Sequence, residues 1–235
     1  EMHMKPYVDS EKQELESAVF AELSKDLADP AANSLQTEDI SILNSALLMF
    51  NKIKHLLKRG SSISRGQTMQ MIYKVVKQTI AGYLNLVIED SYRKEKNKGK
   101  NPGAFLLAIS VYVNTIDHIK ETLGNVSDLI VTLLETPYSE QVEFSQEEET
   151  CLEMINELIV MVKKMAETNL DAAITGTFSK TNWEKFEDNH GDISRYVVEV
   201  RDSLKPLVDT LKGKVTPLHM TKILNIFCPW IRCSY

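Results

Sequence analysis

The chain has 235 residues, 43% of them apolar and 26% charged, and carries a net charge of −6. That is enough apolar material for a buried core and too much for a disordered chain, while the acidic balance excludes a general attraction to nucleic acid. Glycine and proline number only 9 and 7, which favours helices over a turn-rich sandwich or barrel.

The opening EMHMKPYVDS lacks the apolar core of a signal peptide, and no apolar run reaches the ~18 residues that would cross a bilayer. A cytosolic protein that visits membranes from that side is expected. The first helix is expected from Asp9 to about Ala28, with Leu15, Val19, Phe20 and Leu23 inward. In the second, Ile40, Leu43, Leu47, Phe50 and Leu57 form one stripe. Thr37 and Asp39 mark its start and Gly60 its stop. The third carries Met69, Ile72, Val76, Ile80, Tyr83 and Val87. The fourth carries Phe105, Ile109, Tyr112, Ile116, Ile119 and Leu123, and is expected to end at Gly124.

Between these last two lies YRKEKNKGKNPG, Tyr92 to Gly103, a charged linker with a Gly/Pro tip. A second linker, acidic, runs from Glu135 to Glu149. The capping box Ser145 to Glu148 then opens a helix with Leu152, Ile155, Ile159, Val162 and Ala166 inward. NHGD, Asn189 to Asp192, reads as a tight polar turn. A last stripe, Val197, Val200, Leu204, Leu207 and Leu211, is interrupted by Pro206, which kinks or splits its helix. No segment alternates with period two, so no strand is expected. The fold class is all-α: an elongated rod of stacked antiparallel bundles, with residues 1–124 in a first bundle and 125–235 in a second, contiguous one.

Signals for chemistry are few. The three cysteines, Cys151, Cys228 and Cys233, form no CxxC pair, so neither a disulfide framework nor zinc is expected. Cys151 sits one step off the apolar stripe as a small core residue. The five histidines stand in no metal-binding pair, and Asp117 and His118, as neighbours on a helix, point apart. There is no GxGxxG and no GxxxxGK[ST]. SSISRG, Ser61 to Gly66, has the composition of a loop and N-cap. No catalytic, metal-binding or cofactor-binding residues are expected, and no cofactor. One binding candidate is the basic run Arg93, Lys94, Lys96, Lys98 and Lys100, which could meet a partner or an anionic membrane surface at ~1 kcal/mol per charge; the plain alternative is a solubilising loop.

NLDAAITGTFSKTNWEKFED, residues 169–188, concentrates Phe178, Trp183 and Phe186 at one helix exit. Large aromatics are usually buried, so these three are expected to plug the joint between two bundles; the alternative is an exposed docking surface. The passage also resembles the C-terminal region of the Vps-fifty-three subunit of GARP, the Golgi-associated retrograde protein tethering complex. The similar positions are Leu170, Asp171, Ala172, Ala173, Ser179, Lys180, Trp183 and the run NHGDISRYV to Val197. Upstream, LNSALLMFNKIKHLLKRGSSISRGQTM resembles the same family, with Phe50 and Lys54 in a helix and Ser64 and Gly66 in a loop. The chain departs at Gly66, Gln67 and Thr68, where the family has Gly-Glu-Pro, and after Leu211.

The resemblance implies a C-terminal fragment of a longer, non-enzymatic subunit. Such a subunit would be peripheral on trans-Golgi network and endosome membranes and would capture endosome-derived vesicles in retrograde transport. Its implied partners are other GARP subunits, SNAREs or small GTPases, and an anionic membrane surface; nucleic acid is not among them. The alternatives are a subunit of a related tether such as the exocyst, or a helical enzyme whose site is dispersed along the sequence.

Overall fold

The computed structural model describes residues 4–37, 40–178 and 195–233. Among these, the chain forms seven α-helices and one two-stranded hairpin. Helix α1 spans Lys5–Ala28, strands β1 and β2 span Ser34–Thr37 and Ile40–Leu43, α2 spans Asn44–Ile63, and α3 spans Gln67–Asn97. The second half comprises α4 at Pro102–Leu133, α5 at Ser145–Phe178, α6 at Arg195–Leu211 and α7 at Pro217–Cys233. The expected all-α class is what the chain adopts.

Side-chain bonds fix the directions of the helices. Glu11 pairs with Arg59 near one end of α1, and Asp26 accepts a hydrogen bond of 2.7 Å from the Ser45 amide near the other, so α1 and α2 are antiparallel. Lys12 donates to Gln78 at 2.9 Å and Lys94 to the Leu27 carbonyl at 2.9 Å, which sets α3 parallel to α1. Arg65 reaches the Leu133 carbonyl at 3.1 Å while Tyr112 bonds Asp90, so α4 runs back along α3. Lys77 meets Glu147 at 3.1 Å and Tyr92 meets Glu157 at 2.9 Å, aligning α5 with α3. Helix α4 is central, packing on α2, α3, β2, α5 and α6.

The apolar stripes of α3 and α4 are buried at every expected position. On α1, Leu15, Val19 and Leu23 are buried, whereas Phe20 is half-buried and packs against Gly82. The core is one cluster that extends from Val8 to Ile223.

Several expectations are corrected. Residues 40–43 are strand, not helix. They pair with β1 in the register Ser34↔Leu43 to Thr37↔Ile40. Tertiary bonds hold them there: the Leu43 amide donates to Thr115 Oγ1 at 3.1 Å, and Asn114 donates to the Ser41 carbonyl at 3.2 Å. Helix α2 therefore starts at Asn44, and its core face is rotated, with Ala46, Met49, Ile53 and Leu56 buried and Leu47 and Phe50 only half-buried. Gly60 does not stop α2. It lies buried where α2 and α3 cross, and a Cβ there would come within 2.3 Å of Ile72 Cδ1.

Gly124 does not stop α4 either, so the boundary expected after residue 124 falls inside a continuous helix. The expected linker from Tyr92 is helical as far as Asn97, leaving a short turn before Pro102. Pro206 sits within α6 without splitting it. Leu152 faces outward, 44% exposed, while Ile155, Ile159, Val162 and Ala166 are buried. Trp183, Phe186, the NHGD turn and the side chain of Phe178 lie outside the described residues, and with them the expected plug.

Candidate binding site at the α3–α4 turn

The basic run occupies the last turns of α3 and the turn that follows, and folding divides it into three kinds of residue. Lys94 is half-buried and engaged: its Nζ lies 3.1 Å from Asp90 Oδ2 and also donates to the Leu27 carbonyl. Asp90 is buried and accepts a 2.5 Å hydrogen bond from the Tyr112 hydroxyl as well. A buried carboxylate needs such partners, because leaving it unpaired would cost several kcal/mol. Burial, then the carboxylate beside it, raises the Tyr112 pKa and keeps the phenol protonated as a donor. Lys94 thus ties α1 to α3 and is not free for a ligand.

Lys98 pairs with Glu95 at 3.3 Å, one turn back on its own helix. Arg93 is 3.9 Å from Asp90 and its side chain is 68% exposed. Lys96 and Lys100 are exposed and make no ion pair with a described residue. Asn101 caps α4 by accepting from the Ala104 amide at 3.1 Å. A cleft of about 640 Å³ opens between these groups and the end of α1, lined by Asp29, Pro30, Arg93, Lys98, Asn101 and Phe105 among others. It offers an anion the Arg93 guanidinium at its side, with Lys96 and Lys100 on the adjoining surface.

A second polar cluster was not legible from local sequence. His219 on α7 places Nε2 3.0 Å from Asp117 Oδ2, and Lys120 places Nζ 2.9 Å from Oδ1. An ionised carboxylate can only accept, so Nε2 carries the proton. His219, then Lys120, outweigh burial and hold the Asp117 carboxyl down at about 2. His118, by contrast, packs edge-on against Phe50, and burial lowers its pKa. Nearby, burial pushes the Cys151 thiol up to about 12, far from the thiolate a nucleophile needs. His219 is 1% exposed and Asp117 is buried, so this cluster clamps α7 to α4 and gives a substrate no entry.

Among the described residues no three His, Cys, Asp or Glu side chains converge to hold a metal ion, and no helix is long and apolar enough to cross a membrane. After Leu211 a turn with Val215 buried leads into α7, where Ile223 is buried.

No family model matches the chain. It is similar to vacuolar protein sorting-associated protein 53 A of Arabidopsis thaliana, 21% identical over 244 aligned residues. That similarity takes in 96% of this chain and 28% of the relative. Among solved structures, its fold matches the C-terminal domain of the exocyst subunit Sec6p with a TM-score of 0.78 at 11% identity. The match covers 98% of this chain and 61% of that one. The chain thus has the helical-bundle fold of that exocyst domain and spans just over a quarter of its curated relative's length.

Proposed function

We propose that the chain is part of a non-enzymatic subunit of a multisubunit vesicle tether, of the GARP kind, acting where endosome-derived carriers reach the trans-Golgi network. The observation that carries this reading is the extent of the two similarities. A Vps53 protein in sequence and an exocyst subunit in fold each match nearly the whole chain, rather than one helical pair that any bundle could share. The structure supports it in a second way. Its buried ionisable groups are spent on joining helices, Asp90 with Tyr112 and Asp117 with His219, as suits a scaffold.

The working surfaces of such a scaffold are its ends and outer helix faces, and the α3–α4 turn with exposed Arg93, Lys96 and Lys100 is the end we assign to an anionic membrane or partner. The subunit works from the cytosol, with fellow tether subunits, SNAREs or small GTPases as its partners. The exocyst is the second reading, favoured by the Sec6p fold match.

Affinity capture from cytosol, with this chain as bait and mass spectrometry as readout, separates the two. Recovery of GARP subunits and Golgi SNAREs is expected. Recovery of exocyst subunits would move the assignment to that complex, and recovery of neither by a folded bait would contradict both.

A further inference from the structure

We propose that the groove between the end of α3 and the outer face of α5 docks a basic amphipathic helix from a partner protein. The groove encloses about 570 Å³ and is lined by Tyr92, Glu95, Glu153, Glu157, Val160 and Lys164 among others, over the buried side chain of Met161. Its apolar points are large side chains left out of the core. Tyr92 is 44% exposed and Val160 42%. A cleft between two helices that run side by side suits a third helix laid along it, with its apolar stripe turned toward the cleft.

The charges choose the partner's sign. Glu153 makes no ion pair with a described residue, Glu157 accepts only the Tyr92 hydroxyl at 2.9 Å, and Glu95 is held by Lys98 at 3.3 Å. Lys164, at the far end, is the groove's own cation. Two carboxylates without cationic partners beside exposed apolar anchors select lysine or arginine flanking an apolar stripe, with an acidic residue opposite Lys164. The Glu157 bond fixes the Tyr92 ring before binding, so less side-chain freedom is lost on contact. Tyrosine set in such a rim is a common energetic centre of interfaces. The inference does not depend on the tethering assignment, since it rests on this surface alone.

The test uses the whole chain, labelled with ¹⁵N, and two synthetic helical peptides. They share leucines at i, i+4, i+7 and i+11; one carries lysine flanks and the other glutamate flanks. The lysine peptide is expected to shift the amides of residues 88–95 and 152–164, and the glutamate peptide to leave them in place. Glu153→Lys with Glu157→Lys, on exposed positions that leave the core untouched, is expected to weaken the lysine peptide on the order of tenfold and admit the glutamate peptide. Shifts that map elsewhere, or an affinity indifferent to the charge reversal, would overturn the proposal. So would a concentration-dependent dimer abolished by Val160→Ser, which would assign the face to a second copy of the chain.

Discussion

His219 on α7 lies 3.0 Å from Asp117 on α4, a bond that joins positions 102 residues apart. It is the tie by which the last described helix is clamped to the central one. Because Asp117 is held at about 2, below the ordinary 3.8, its contribution to stability is full above about pH 5 and is lost as pH falls through 4 toward 2. The shift corresponds to about 2 kcal/mol.

Asp117→Asn is accordingly expected to lower the unfolding midpoint in urea at pH 6, by about 2 kcal/mol of stability. The gap between variant and parent should close as the pH is taken below 3. A gap of the same size at both pH values would show that the carboxylate charge is not what secures α7.

At the α2–α3 crossing, Gly60 lets two helices approach until a methyl would meet Ile72 at 2.3 Å. Gly60→Ala should therefore destabilise the chain by about 1–3 kcal/mol through overpacking. Gly124, inside α4 with open space around its Cα, is the matched control. Gly124→Ala should raise stability by about 0.5–1 kcal/mol, because alanine is the better helix former. Thermal melts of the two variants check both signs.

The basic run should separate into two phenotypes. Lys96→Gln with Lys100→Gln is expected to leave the melting curve unchanged and to weaken co-sedimentation with vesicles rich in anionic phospholipid, by about 1 kcal/mol per charge. Lys94→Gln should do the reverse, lowering the melting temperature because the buried Asp90 loses its nearest cation. Vesicle binding that is insensitive to Lys96 and Lys100 would remove lipid from the account of this end.

Cys151 should be inert in the folded protein. Burial raises its thiol to about 12, so iodoacetamide at pH 8 should modify its peptide only after denaturant is added. Rapid labelling of the native protein at Cys151 would revive the reading of a helical enzyme.

Much of this was legible because helices announce themselves by period. The six stripe positions named on α3 and the six on α4 are all buried, since both helices are covered along their length and the local pattern matches the packing. Where long-range partners decide, the pattern misled. Ile40 and Leu43 fit a helical stripe, yet bonds from Leu43 to Thr115 and from Asn114 to Ser41 hold the segment extended. Gly60 and Gly124 looked like stops because glycine is a poor helix residue, but a close crossing needs one and a long, well-packed helix tolerates the other.

The basic run was visible as composition; its division into structural Lys94 and exposed Lys96 and Lys100 depends on Asp90 and Leu27, neither of which is marked by spacing. Asp117 and His219 had no common motif to reveal them. Leu152 was read as core from its step along the stripe, yet it is exposed, because the covered face of α5 ends short of it.

The most direct test of the tethering assignment is made in the cells that express the protein. The region corresponding to this chain is deleted from the full-length subunit, and a cargo receptor that cycles between endosomes and the trans-Golgi network is followed by microscopy. The account predicts that the receptor disperses into peripheral vesicles while secretion to the plasma membrane continues. Normal receptor retrieval, with secretory vesicles collecting beneath the plasma membrane instead, would contradict it and place the chain in an exocyst-type tether.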